Sequence, residues 1–208
     1  METIKDFSRQ AIAIFDQAIE DYHVRDNVNA EINNPYAFKS IEYYLYLKCW
    51  IDTVQWHMED IMRDPDIDPA EALATKRKID RNNQERTDLV ELIDSYLLDR
   101  FYGVKVLPDA TINTESPAWA IDRLSILQLK IYHMRGEAER PGTDEHQRMS
   151  ANAKLSVLIQ QNTDLITAID TLLQDIEAGR KQIKVYKQMK MYNDPNLNPV
   201  LYNRRKQS

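Results

Sequence analysis

At 208 residues the chain is long enough to bury one core without a disulfide or metal staple, and it carries a net charge of −6. Its single cysteine, Cys49, gives an oxidising compartment no support, and no apolar run approaches the ~18 residues a membrane span needs. Only 4 residues are glycine, which favours long helices over many short strands.

The first 23 residues lack the layout of a signal peptide, so a soluble cytoplasmic protein is expected. Charge is unevenly spread. Residues 179–208 hold eight Lys/Arg against one Asp, a net of +7, and leave −13 on the rest. A basic tail could seek an anionic partner. Its interleaved Ile183, Val185, Tyr186, Met189 and Tyr192 favour a tail that lies back on its own acidic body.

In chain order, the spacing of Ile4, Phe7, Ala11, Ile14, Ala18 and Tyr22 predicts a first helix over 2–22. A loop follows to Pro35. A second helix over 37–63 is apolar on two faces. Ile41, Tyr44, Leu47, Ile51, Val54, Met58 and Ile61 form one, and Tyr46, Trp50, Thr53, His57, Asp60 and Asp64 the other. Such a helix has neighbours on both sides. Asp68-Pro69 is a cap-and-proline start for a third helix that ends at Gly103. Its heptad seam reads Ala72, Lys76, Ile79, Asn83, Arg86, Val90, Ile93 and Leu97, with nine polar residues in a row from Asp80 to Asp88. Ser116-Pro117 opens a fourth helix, over 117–137. Its apolar seam is Ala120, Leu124, Leu127, Ile131 and Met134; Trp119, Asp122, Ile126, Leu129 and His133 form a mixed stripe beside it. A fifth helix starts near Asp144 on the seam Leu155, Leu158, Asn162, Leu165, Ile169, Leu172 and Ile176, with helix continuing past Gly179 to about Tyr192. Asn162 in that seam reads as a register device. The expected architecture is all-α: one antiparallel bundle of five to six long helices over 1–192, with a basic extended tail over 193–208.

No glycine-rich phosphate loop, paired-cysteine zinc pattern or nucleophile elbow is present. Several runs nevertheless have a familiar arrangement: Trp56-His57 with Glu59-Asp60 and Arg63-Asp64-Pro65; Lys76-Arg77, Ile79-Asp80, Asn83-Gln84 and Arg86-Thr87-Asp88; Glu115-Ser116-Pro117 with Ile121-Asp122-Arg123-Leu124; and Lys190-Met191-Tyr192-Asn193-Asp194-Pro195. Together they resemble the bacterial domain-of-unknown-function 4254 family, from which the chain departs at Ala118, where glycine is expected. The resemblance implies a helical cytoplasmic protein associated with surface-glycan and lipopolysaccharide synthesis. It brings no catalytic residue.

Polar groups on inward stripes mark the candidate site, because burying them unpaired costs several kcal/mol. Ligand-binding candidates are Trp56, Lys76, Asp80, Asn83, Arg86, Asp122, Arg123 and His133. Catalytic candidates are His57, Asp60, Glu91 and Asp94. His57-x-x-Asp60 and Glu91-x-x-Asp94 each lie on one helical face, so Asp60, Glu91 and Asp94 could hold Mg²⁺ or Mn²⁺ in a weak likeness to all-helical nucleotide pyrophosphatases. Arg and Trp suit a small anionic metabolite such as a sugar phosphate or nucleotide sugar. The acidic body opposes nucleic-acid binding. The competing reading is a non-catalytic scaffold with a buried network that fixes the bundle, in which Lys76 pairs with Asp80 and Arg86 takes Asp122 in bidentate geometry.

Overall fold

The computed structural model describes residues 6–191 and 194–205. Six helices form over those residues: α1 Phe7–Arg25, α2 Ile41–Met62, α3 Pro69–Arg100, α4 Pro117–Glu139, α5 Glu145–Glu177 and the short α6 Pro199–Arg205. Among the described residues there is no strand, and one isolated bridge joins Thr111 to Lys181. The all-α expectation therefore holds. Predicted starts also hold where capping chemistry carried them. Asp68 accepts hydrogen bonds from the N–H groups of Ala70 and Glu71 ahead of Pro69, and Asp144 accepts one from Gln147.

Side-chain contacts give each helix its direction. Cys49 Sγ donates to the Phe15 carbonyl, and further along both helices Tyr22 stacks on His57, so α1 and α2 run parallel. The residues from Asp26 to Ser40 make this possible, since about 15 extended residues reach back along a helix some 28 Å long. Thereafter neighbours alternate. Asn82 of α3 donates to the Ile51 carbonyl and Gln55 Oε1 of α2, Asp94 of α3 accepts from Ala118 of α4, and Gln128 of α4 donates to Asn162 of α5. The bundle is antiparallel from α2 onward, with α1 laid alongside in the direction of α2 and α4.

α4 packs against all four other long helices. Ala118, Ala120, Ile121, Leu124, Leu127, Leu129 and Ile131 are buried, and over residues 117–131 only Arg123 and Lys130 are exposed. A helix so surrounded keeps only a narrow polar strip to contrast with its apolar surface. The core joins Ala118, Ala120, Ile121, Leu124 and Leu129 to Phe15, Ile19, Leu45, Tyr46, Val90, Ile93, Leu97 and Leu173.

The C-terminal end departs from expectation. α5 stops at Glu177 and does not continue to Tyr192: Gly179 takes φ +73, and its carbonyl accepts from Leu107 at 2.9 Å. The chain then returns along α3, where the Gln188 N–H donates to Glu91 and Lys190 Nζ to Thr87 Oγ1 at 2.6 Å. The basic segment thus lies on the acidic body. Its end is not wholly extended, since α6 forms from Pro199. Ile4, Tyr192, Asn193 and the expected boundary between bundle and tail fall outside the described residues.

Candidate functional site

The middle of the bundle holds a closed set of charges. Lys48 of α2 is fully buried and bonds both Asp52, one helical turn on, and Asp122 Oδ1 of α4 at 2.9 Å. Arg86 of α3 grips Asp122 with two bonds, Nε to Oδ1 at 3.0 Å and one terminal nitrogen to Oδ2 at 2.8 Å, and reaches Asp52 at 3.3 Å. Ser125 Oγ adds a bond to Asp52 at 2.6 Å. Two cations face two carboxylates, so the set is neutral. Burial pushes the Asp52 carboxyl above its ordinary range, against the pull of Lys48 and with a push from Asp122. Burial would raise Asp122 as well, but the Lys48 ammonium and the Arg86 guanidinium together hold it below the ordinary range.

Above this network opens a cleft of about 410 Å³, lined by Asp52, Gln55, Trp56, Glu59, Asp60, Arg63, Arg86, Ile126 and Leu129. Gln55 is fixed between Asn82 and Glu59, and Arg63 bonds Asp60 at 2.9 Å on the rim. Trp56 also borders a second, largely apolar cavity of about 550 Å³ between α4 and α5, with Lys130, His133, Met134, Lys154 and Leu158.

Of the sequence candidates, Trp56, Asp60, Arg86 and Asp122 converge here. The others do not. Lys76 and Asp80 pair with each other but are exposed, because the inward line of α3 keeps Ile79 but runs through Thr75 and Asn82 where the expected seam had Lys76 and Asn83. Asn83 is half-buried and its carbonyl receives Lys190 at 3.4 Å. Arg123 is exposed and pairs with Glu115 at 3.2 Å. Glu91 takes the Gln188 N–H, while Asp94 accepts from Ser116 Oγ and the Ala118 N–H at the start of α4. His57 and His133 lie toward the far end of that helix, ~22 Å away at 1.5 Å per residue. His57, Asp60, Glu91 and Asp94 therefore do not form one cation cage.

Sequence reasoning passed over Lys48, Asp52, Ser125 and His23. Lys48 and Asp52 had a signal: an i,i+4 charged pair inside an otherwise mostly apolar run from Leu45 to Val54.

His23 ends α1 beside His57 of α2 and His133 of α4. One ligating atom from each ring lies within 4.8 Å of the others. His23 Nδ1 sits 2.7 Å from the Ile19 carbonyl, so that nitrogen carries the proton and Nε2 points to His57 Nε2 at 3.2 Å. His133 Nε2 is buried with no partner. Each ring is held by an aromatic neighbour: His57 stacks on Tyr22 at 5.0 Å, His133 on Trp56 at 4.8 Å, and His23 leans on Tyr132 at 4.5 Å. Burial, reinforced by His23, lowers His57, and burial with His57 and His23 brings His133 down to about 4.

No curated protein and no solved structure matches the chain. One family model does, described as a protein of unknown function (DUF4254), and it spans residues 42–185, from the start of α2 to beyond the end of α5. That stretch includes the entire charge network and every residue lining the cleft, and the chain belongs to the DUF4254 family.

Proposed function

We propose that the chain is a cytoplasmic protein that binds a sugar-bearing phosphorylated metabolite, of the nucleotide-sugar class, in the cleft between α2, α3 and α4. The carrying observation is the cleft itself: about 410 Å³, with an indole on its wall and a cross-braced charge network as its floor. That volume falls within the range of small-molecule sites, which combine an apolar wall with a few fixed polar groups. Gln55, Glu59 and Asp60 can accept or share hydrogen bonds with sugar hydroxyls. Arg63 on the rim and Arg86 on the floor supply cations for phosphate. The floor groups are tied to one another, so they need not reorganise when a ligand arrives. Nucleotide sugars are donors in glycan assembly, the setting to which the family resemblance points.

A non-catalytic scaffold is the second reading, favoured by the internal neutrality of the Lys48–Asp52–Arg86–Asp122 set. A thermal-shift titration separates the two, using a nucleotide sugar, the corresponding nucleotide, the sugar phosphate and the free sugar. At a hundred times its dissociation constant a ligand adds about 2.7 kcal/mol, roughly 5–10 °C for a chain of this size. The expected result is a saturable shift with the nucleotide sugar that Arg63→Ala and Glu59→Gln diminish. A flat response to all four, or a shift indifferent to both rim substitutions, favours the scaffold.

A further inference from the structure

We infer that His23, His57 and His133 form a binding site for one borderline divalent cation, Zn²⁺ by preference, with an open coordination position. The site is separate from the charge network and does not depend on the nucleotide-sugar reading. Three imidazoles from three different helices converge at the same end of the bundle, with ligating atoms within 4.8 Å of one another. Tetrahedral zinc with Zn–N bonds of 2.0–2.1 Å places its ligand nitrogens roughly 3.3 Å apart. His23 Nε2 and His57 Nε2 already stand at 3.2 Å.

The tautomer is set for ligation. The Ile19 carbonyl holds the His23 Nδ1 proton, which leaves the Nε2 lone pair facing His57. A metal-bound histidine characteristically makes this kind of supporting bond with its other nitrogen. A simple hydrogen bond between His23 and His57 would account for two rings but not the third, because His133 Nε2 is buried without a partner. Stacking on Trp56, Tyr22 and near Tyr132 keeps the three rings from turning away.

Imidazole ligands select zinc and its neighbours over magnesium or calcium, which prefer oxygen. Three histidines leave a fourth position for water or a ligand atom, as catalytic rather than structural zinc sites do. Asp26 Oδ1 lies 3.9 Å from His57 Nε2 and could close the shell instead. The site adjoins the 550 Å³ cavity through His133 and Trp56, so a ligand lying there could approach the open position.

The test uses the full chain, stripped of metal by a chelator and titrated with Zn²⁺ against a chromophoric competitor, and with Co²⁺ to read its visible d–d bands. The expected result is one equivalent of Zn²⁺ and the intense Co²⁺ spectrum of a four-coordinate site. His23→Ala, His57→Gln and His133→Ala should each weaken binding by more than the roughly 10–100-fold that loss of a supporting bond costs a metal site. His146, the remaining histidine and exposed on α5, is the control, and His146→Ala should bind as the parent does. Footprinting of the unsubstituted chain with diethylpyrocarbonate needs no variant to fold: Zn²⁺ should shield His23, His57 and His133 and leave His146 reactive. Absence of stoichiometric binding, or protection by Zn²⁺ that falls on His146 or on none of the three clustered histidines, overturns the site.

Discussion

Lys48 is the residue on which the buried charges depend. It is fully enclosed and touches both Asp52 and Asp122, so removing it leaves two carboxylates facing one guanidinium. Lys48→Met should cost about 3–5 kcal/mol, because breaking a buried pair by deleting one partner strands the other charge. Urea unfolding of the variant measures this, and a cost under ~1 kcal/mol would show that water reaches the set. Asp122 gives the same network a pH signature. Its folded-state pKa is held below 3.8, first against burial and then by Lys48 and Arg86, so its contribution is present above 3.8 and lost as pH falls through the depressed value. The stability gap between the parent chain and Asp122→Asn should therefore close only below pH 3.8. The Arg86–Asp122 fork was legible in the sequence, since an arginine and an aspartate on facing inward stripes have few other ways to be satisfied. Lys48 and Asp52 carry a weaker signal, their i,i+4 spacing alone, because they lie on a third buried face of α2 outside its two apolar seams. An apolar run that is buried all round has no moment to say which of its polar members point inward.

Among elements, the start of α4 is held from outside. Ser116 was readable as its cap, yet the serine side chain makes no capping bond of its own. Asp94 of α3 supplies it instead, accepting from Ser116 Oγ and from the Ala118 N–H at 3.0 Å. Such a donation between helices leaves no local sequence pattern, which is why Asp94 read as a metal ligand. Asp94→Ala should cost about 1–2 kcal/mol, the usual value of an N-cap, and should speed amide exchange at the first turn of α4 without altering the middle of the bundle. Equal loss of protection along the whole helix would mean that the contact is not a cap. The end of α5 is set by Gly179. A Cβ there would lie 2.3 Å from the Lys105 carbonyl oxygen, at a φ of +73 that disfavours side chains in any case. Gly179→Ala should therefore separate residues 104–111 from 179–182 and lower stability by roughly 2 kcal/mol or more, as read by thermal unfolding. The heptad pattern of α5 gave no warning of this stop, because periodicity reports a face and not an end.

For the whole molecule, the sequence made the helices plain and pointed to an antiparallel bundle, from which α1 departs by running parallel to α2. A loop of about 15 residues between α1 and α2 permits either direction, and only tertiary contacts chose the parallel one. That choice brings His23 beside His57 and His133; an antiparallel α1 would carry it to the other end of α2. Arrangement also decides where the molecule is firm. α5 has one unbroken seam in sequence, but its buried residues are Ile169, Leu172, Leu173 and Ile176, all near its C-terminal end. From Glu145 to Thr163 no residue is buried, and Met149, Val157 and Ile159 are exposed. Local opening follows buried contact density more than helix propensity. Amides from Glu145 to Thr163 should accordingly exchange by sub-global opening of the α4–α5 hairpin tip, well before those from Leu165 to Ile176, which should exchange only on global unfolding. Exchange mass spectrometry at several urea concentrations distinguishes the two, because sub-global opening depends weakly on denaturant and global unfolding strongly. Uniform protection along α5 would mean that something covers its first half in solution. Since that half also walls the 550 Å³ cavity through Lys154, Val157 and Leu158, its opening would control access to His133.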